Sequence, residues 1–116
     1  MIPRAATDPD SGKPALTEAL NRLWTKFLPE MDERIAVLSS AAAASTAGQL
    51  SIEQQEAARA AAHKLAGALG TFGLTEGTEL AREAEILYSA QRGPNPAAAR
   101  LVEIAAQLRA VIANRK

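Results

Sequence analysis

The sequence predicts an all-α fold, an up-down antiparallel four-helix bundle with an additional N-terminal helix. Alanine and leucine dominate an apolar fraction of 47%, whereas aromatic residues make up only 3%. Alanine and leucine are strong helix formers, while strands favour β-branched and aromatic residues. Apolar residues also recur at helical spacing in five segments, and the short links between them give antiparallel neighbours. A chain of 116 residues suits one domain with a single core.

The first two predicted helices meet at Pro29, which is expected to break the helix or restart it. The first spans about 15–28, and its apolar stripe is formed by Leu16, Leu20, Leu23 and Phe27, with Trp24 beside them. The second spans about 29–46, with Pro29 at its first position, where the missing N–H costs nothing. Gly48 follows as a stop signal. The first helix is expected to lie across the bundle or to cap one end.

The third predicted helix spans about 52–72. Ser51 and Gln54 have the spacing of a capping box, in which the serine side chain bonds the backbone N–H three residues later. Gly73 can end this helix because glycine adopts the left-handed conformation at little cost. The segment therefore has a start signal and a stop signal of its own.

The last two predicted helices span about 76–91 and 96–113. Thr75 is the expected cap of the fourth helix, and Pro96 stands at the expected first position of the fifth. The fifth helix carries an unbroken apolar stripe formed by Leu101, Ile104, Ala105, Leu108, Val111 and Ile112. These segments complete the predicted bundle.

Composition excludes several functional classes. Lys plus Arg and Asp plus Glu each number 13, so no net positive charge attracts nucleic acid. There is no cysteine, which excludes disulfides, zinc–thiolate sites and cysteine nucleophiles and suits a cytoplasmic protein. No apolar run reaches the roughly 18 residues of a membrane span, and the start lacks the apolar core of a secretory signal. Residues 1–14 are predicted to be a flexible segment or linker stub, and 15–116 the domain.

The only histidine, His63, lies in the middle of the third predicted helix. A lone helical histidine is more often a surface or core residue than a functional one. A helix advances by about 100° per residue, so the apolar residues of this segment fall on the side opposite His63. Those core-facing residues are Ala58, Ala61, Ala62, Leu65, Leu69 and Phe72. The imidazole is therefore predicted to face solvent.

The face that His63 shares with its neighbours is unusually bare. Glu56, Arg59, Gly67 and Gly70 all lie within about 40° of it around the helix. A glycine inside a helix costs about 1 kcal/mol relative to alanine, so two of them on an exposed face need a reason. One reason is close packing against another helix. The other is clearance for a second protein that brings its reactive atom to the imidazole.

The histidine favours nucleophilic chemistry over the alternatives. Imidazole has an ordinary pKa of about 6.5, so much of it is neutral near pH 7 and can attack phosphorus. Phosphoryl transfer needs positioning and charge neutralisation more than acid–base work by the protein. Lys64 lies about 100° round from His63 and either reaches an anion held there or is simply solvated. One histidine is too few for a di-metal bundle, and no triad signature or P-loop occurs.

The stretch AHKLAGALGTFGLTEGTELAREAE, residues 62–85, resembles the signature of histidine phosphotransfer (HPt) domains. The matching positions are His63, Leu65, Gly67, Gly70, Gly73, Leu80 and Glu83 or Glu85. The resemblance covers roughly residues 16–112 and implies a phospho-accepting His63 on the second helix of a four-helix bundle. Many members carry a lysine or another polar residue three positions after the histidine, where this chain has Ala66. Lys64 is the candidate substitute.

The resemblance implies a phosphorelay intermediate that exchanges a phosphoryl group between His63 and an aspartate of a response-regulator receiver domain. Lys64 and Gly67 are the expected phosphate environment, and Glu56, Arg59 and Gly70 the expected docking face. The expected partners are a receiver domain, which would supply Mg²⁺, and a hybrid sensor histidine kinase. No cofactor, metal ligand, ATP-dependent kinase activity, nucleic-acid or membrane contact is expected, and the protein is predicted to be a cytoplasmic monomer.

Two alternatives stay open at the level of the sequence. The first is a docking module without chemistry, whose Gly67/Gly70 face binds a partner helix. The second concerns context, because the linker-like start fits a domain of a larger hybrid kinase or regulator, whereas Met1 fits a free-standing protein.

Overall fold

The computed structural model describes residues 13–89 and 97–115, which form four helices and no strand within those ranges. The helices are α1 (Lys13–Thr46), α2 (Ile52–Thr71), α3 (Thr75–Ser89) and α4 (Ala98–Asn114). Each helix packs on two neighbours: α1 and α3 both contact α2 and α4. The predicted all-α four-helix bundle is therefore confirmed. None of the described helices is both long and apolar enough to cross a membrane.

The predicted break at Pro29 is wrong, because α1 runs through this residue without interruption. Proline inside a helix removes one backbone hydrogen bond and costs about 3 kcal/mol. Trp24 and Met31, on either side of Pro29, are both buried in the same core. A break would have to give up one of these contacts, so packing offsets the local penalty. The predicted N-terminal helix is thus the first part of α1.

The N-terminal part of α1 projects beyond the other helices and does not lie across the bundle. Its 34 residues correspond to about 50 Å, compared with about 30 Å for the 20 residues of α2. Leu16, in the projecting part, is 62% exposed. Residues 1–12 of the predicted flexible segment lie outside the described residues, whereas Lys13 and Pro14 already belong to α1.

The end of the bundle near the start of α1 is closed by a small aromatic cluster. Trp24 and Phe72 pack edge to face, with ring centroids 5.0 Å apart. The guanidinium of Arg115, just after α4, lies 4.6 Å from the indole centroid and 5.4 Å from the Phe72 centroid. The cluster joins residues from three parts of the chain, so it ties α1 to the ends of α2 and α4.

The turn between α2 and α3 fixes how these two helices face each other. Gly73 has φ +71°, and its N–H bonds the Gly70 carbonyl, while the N–H of Leu74 bonds the Leu69 carbonyl. This is a Schellman motif, and the predicted left-handed stop is confirmed. The turn is short enough that α3 runs straight back along α2. α3 begins at Thr75 itself, not after it as expected for a cap.

The start of α2 follows the sequence signal. The backbone N–H of Gln54 donates to the Ser51 hydroxyl oxygen over 3.0 Å, so the predicted serine cap is confirmed. At the other side of the bundle, α4 begins at Ala98. Residues 90–96, which include the predicted Pro96 start, lie outside the described residues.

Gly77 allows α3 to approach two helices at once. A Cβ at this position would lie 3.0 Å from Leu69 Cδ1 on α2 and 3.2 Å from Val111 Cγ1 on α4. Both distances are shorter than ordinary contacts between carbon atoms. The absence of a side chain therefore sets the spacing on which the α2–α3 surface depends.

Tyr88 carries a polar group into the core between α3 and α1. Its ring is almost completely buried, and its hydroxyl donates to the Leu38 carbonyl over 3.4 Å. Burial raises the pKa of Tyr88 to about 12, because the phenolate would lose its hydration. The hydrogen bond links α3 to α1, which are diagonal in the bundle.

An ion-pair network on the surface joins α3 to α4. Arg100 donates to both carboxylate oxygens of Glu83, over 2.6 and 2.7 Å, and also to Glu103 over 2.9 Å. The hydrogen bonds from Arg100 hold the pKa of Glu83 below its ordinary value. This bidentate pair orients α4 on the side of α3 away from α2.

Candidate functional site

His63 projects from the middle of α2 into solvent. Its side chain is 71% exposed, whereas Ala62 and Leu65 beside it are fully buried. This agrees with the helical periodicity, which placed the imidazole opposite the core-facing residues. The core contacts of α2 therefore fix the backbone, and the imidazole stays accessible.

One ring nitrogen of His63 is held by α3. His63 Nδ1 lies 3.0 Å from Glu85 Oε2, and the Glu85 side chain is only 26% exposed. A carboxylate accepts hydrogen bonds and cannot donate them, so Nδ1 carries the proton and donates it. The neutral ring then has its lone pair on Nε2. Glu85 thus leaves Nε2 as the ring nitrogen without a proton.

The contact with Glu85 was missed at the level of the sequence, where Glu85 appeared only as part of the resemblance. The two residues are 22 positions apart and meet only because the turn at Gly73 sets the register of α2 and α3. Gly70 faces Thr78 in the same register. In this antiparallel pair, residues that face each other lie equally far from the turn, so counting outward from Gly70 and Thr78 brings His63 opposite Glu85. The sequence contained this signal.

A groove runs between α2 and α3 beside the imidazole. The residues that line it are His63, Ala66 and Gly67 of α2 and Arg82, Glu85, Ile86 and Ser89 of α3. A Cβ at Gly67 would meet no atom within 4 Å, so this glycine is not needed for helix packing. A Cβ at Gly70 would lie 3.7 Å from Thr78 Oγ1, an ordinary contact. Close helix packing therefore does not explain Gly67, whereas clearance for a second protein is consistent with it.

The predicted docking residues Glu56 and Arg59 form an ion pair on the turn before His63. Arg59 Nε donates to Glu56 Oε1 over 2.9 Å, and a second guanidinium nitrogen bonds the same oxygen. This hydrogen bonding lowers the pKa of Glu56 and raises that of Arg59. The charge of Glu85 on α3 adds a smaller contribution to the raised pKa of Arg59.

Lys64 does not share this groove. It is exposed and lies about 100° round from His63, whereas Ala66, which lines the groove, lies about 60° round in the opposite direction. The structure therefore brings Gly67 into the groove beside the histidine and leaves Lys64 outside it.

Two exposed isoleucines lie on the same side of the bundle as His63, one of them beside the imidazole and the other about 16 Å away along α2. Among the large hydrophobic residues that the structure describes, Ile52 and Ile86 have the highest exposed fractions, 85% and 66%. Ile86 lines the groove beside His63, and Ile52 lies about 20° from His63 around the α2 axis. Sequence patterning missed both, since a single exposed isoleucine resembles any other apolar residue of a helix.

The described residues around His63 bring together no set of metal-ligating side chains. Within residues 13–89 and 97–115, no group of three histidine, cysteine, aspartate or glutamate side chains is placed to hold a metal ion. The groove is open along one side of the bundle, with a histidine at its edge and a small-residue floor. Such an arrangement leaves one ring nitrogen of His63 open to solvent.

Comparisons with known proteins agree with this geometry. Residues 22–115 match a protein family described as the Hpt domain. The chain is also similar to Protein RcaC of Microchaete diplosiphon, with 39% identity over 66 residues, or 57% of this chain. The match covers only 10% of the length of RcaC. No solved structure matches the chain at a significant level.

Proposed function

This chain belongs to the Hpt domain family, and we propose that it is a phosphorelay intermediate whose phosphoryl acceptor is His63. Membership implies histidine phosphotransfer in two-component signalling, by carriers that are not themselves kinases. The finer proposal is that His63 takes the phosphoryl group from an aspartate of one receiver domain and passes it to another. The observation that carries it is the exposed imidazole whose Nδ1 is held by Glu85.

The chemistry needs little from the chain beyond this orientation. The lone pair of Nε2 attacks phosphorus of the aspartyl phosphate, the P–N bond forms, and the P–O bond to the aspartate carboxylate breaks. The ring becomes a phosphorylated imidazolium that keeps its Nδ1 proton. The carboxylate of Glu85, 3.0 Å from Nδ1, stabilises the positive charge that develops there. The next aspartate carboxylate reverses these steps and restores neutral His63.

The receiver domain would dock on the face around His63. Ile86 offers apolar contact beside the imidazole, Ile52 offers it about 16 Å further along α2, and the Glu56–Arg59 pair between them offers polar contact. Gly67 leaves space for the acidic pocket of the receiver to approach Nε2. We propose that the receiver supplies the Mg²⁺ that phosphoryl transfer requires and that this chain contributes no cofactor.

The wider pathway is also part of the proposal, because the match to RcaC covers only 10% of the length of that protein. A hybrid sensor histidine kinase is the expected origin of the phosphoryl group, delivered through its receiver domain. Any fusion partner would leave the His63 face free, because the histidine must reach at least two receivers in turn.

The test is transfer of acid-labile label from phosphorylated receiver domains to the protein, with His63→Gln as the control. His63 is the only histidine, so any phosphohistidine must form there. We expect label on the wild-type protein that is absent from the variant and that moves to a fresh receiver. A folded protein that binds a receiver but takes no label would instead support the docking module without chemistry.

A further inference from the structure

Three cationic side chains lie near His63 in the sequence or in space, and they are not equivalent. Arg59 is held by Glu56 through two hydrogen bonds. Lys64 lies outside the groove. Arg82, on α3, lines the groove together with His63, is exposed, and forms no ion pair with any residue that the structure describes. It is therefore the cation that stays available beside the imidazole.

The register of α2 and α3 places Arg82 close to where a phosphoryl group would sit. His63 faces Glu85 and Gly70 faces Thr78, so in this antiparallel pair Arg82 faces Ala66. Ala66 is one helical turn, or about 5 Å along the axis, from His63. Arginine is long enough to span one turn, and the methyl group of Ala66 does not block its path.

The small residues on α2 make that path possible. Ala66 is buried to all but 7% of its surface, and a Cβ at the neighbouring Gly67 would meet no atom within 4 Å. A guanidinium from α3 can therefore lie over this part of α2 without displacing another side chain. A larger residue at either position would fill the space between Arg82 and the imidazole.

We infer that Arg82 binds the phosphoryl oxygens of phospho-His63, the role that the sequence had suggested for Lys64. The inference rests on the proposed function and deepens it by naming the cation of the site. A phosphoryl group carries close to two negative charges and three acceptor oxygens, and a guanidinium matches two of them with parallel N–H donors. Arg82 makes and breaks no covalent bond. It neutralises charge on the group that Nε2 carries.

The experiment is a ³¹P NMR titration of the phosphorylated protein, labelled with phosphoramidate so that no receiver is needed. Arg82→Gln and Lys64→Gln remove the same charge and form a matched pair. A cation beside the phosphoryl group lowers its second pKa, so we expect Arg82→Gln to raise that pKa by about 0.5. Lys64→Gln should leave it unchanged, and Arg82→Lys should restore part of the effect.

A second measurement tests how the charge of Arg82 affects the exchange of the phosphoryl group with a receiver domain. The share of label on His63 at equilibrium with a receiver should fall about three-fold in Arg82→Gln and stay constant in Lys64→Gln. If the second pKa of the phosphoryl group is unchanged in Arg82→Gln, or shifts in Lys64→Gln instead, the inference about Arg82 is overturned. The proposed function still stands in that case, because His63 carries the label. Absence of label on His63 from both phosphoramidate and receivers would overturn the two together.

Discussion

Gly67 gives the sharpest test of why the histidine face is bare. Replacing it with alanine should stabilise the protein, because glycine costs about 0.8–1.0 kcal/mol relative to alanine inside a helix. Nothing offsets that gain, since a Cβ at Gly67 would meet no atom within 4 Å. We therefore expect the free energy of unfolding to rise by about 1 kcal/mol. If the glycine provides clearance for a receiver, the same change should slow phosphoryl transfer to His63.

The assay pairs two measurements on the same variants. Urea unfolding followed by circular dichroism gives the free energy of unfolding, and label transfer from a phosphorylated receiver gives the rate. Gly67→Ala should be more stable and slower than the wild type, and Gly67→Leu slower again. Gly70→Ala is a comparison for stability alone, because its Cβ would make an ordinary 3.7 Å contact with Thr78. It too should gain stability.

Stability and transfer must move in opposite directions for the clearance argument to hold. Transfer at the wild-type rate in both Gly67→Ala and Gly67→Leu would refute it, because a leucine would crowd any partner that approaches Nε2. A loss of stability in Gly67→Ala would refute the geometry itself, since it would mean that the helix surface is occupied.

The other predictions concern the support of the site and of the core. Glu85→Ala should slow phosphorylation of His63 by about two- to ten-fold, because Nδ1 loses its hydrogen-bond acceptor, and Glu85→Gln should have a rate between those of Glu85→Ala and the wild type. Ring ¹⁵N shifts of Glu85→Ala should show both tautomers of His63, and an unchanged tautomer ratio would contradict the role of Glu85. Gly77→Ala should lower the free energy of unfolding by about 1–2 kcal/mol despite its better helix propensity, because its Cβ would lie 3.0 Å from Leu69 Cδ1; urea unfolding that shows a gain would disprove the tight contact. Tyr88 has its pKa raised from 10.0 to about 12, so the folded state holds this proton more tightly and stability should fall as the pH rises from 10 towards 12. Tyr88→Phe should lose that part of the alkaline slope, and because Tyr88 is the only tyrosine, its ultraviolet titration checks the pKa directly.

Local signals in the sequence were sufficient for features that depend on one helix at a time. Ser51 caps the start of α2 and Gly73 ends the helix, and both signals could be predicted because helix caps and left-handed turns depend on residues that are close together in the sequence. The exposure of His63 followed from periodicity, which needs only the knowledge that the apolar side of a helix is buried.

Features that depend on two helices were not predictable in the same way. Pro29 lies within α1 because the burial of residues on both sides of it outweighs the cost of a proline inside a helix. That burial depends on tertiary packing. Glu85 meets His63 through the register of α2 and α3, and Arg82 enters the groove through the same register. Gly77 resembles any other helical glycine until two neighbouring helices are placed against it.

The aromatic cluster at the end of the bundle gives this protein an optical reporter of its own. Trp24 is the only tryptophan, and both Phe72 and the charge of Arg115 lie against its ring. Opening of this end would change its emission, because the indole would lose a packed neighbour and a fixed charge together. Phe72 is more than two helical turns beyond His63, roughly 13 Å along α2. Intrinsic fluorescence can therefore follow the integrity of the fold in every variant while isotope or NMR signals follow the histidine.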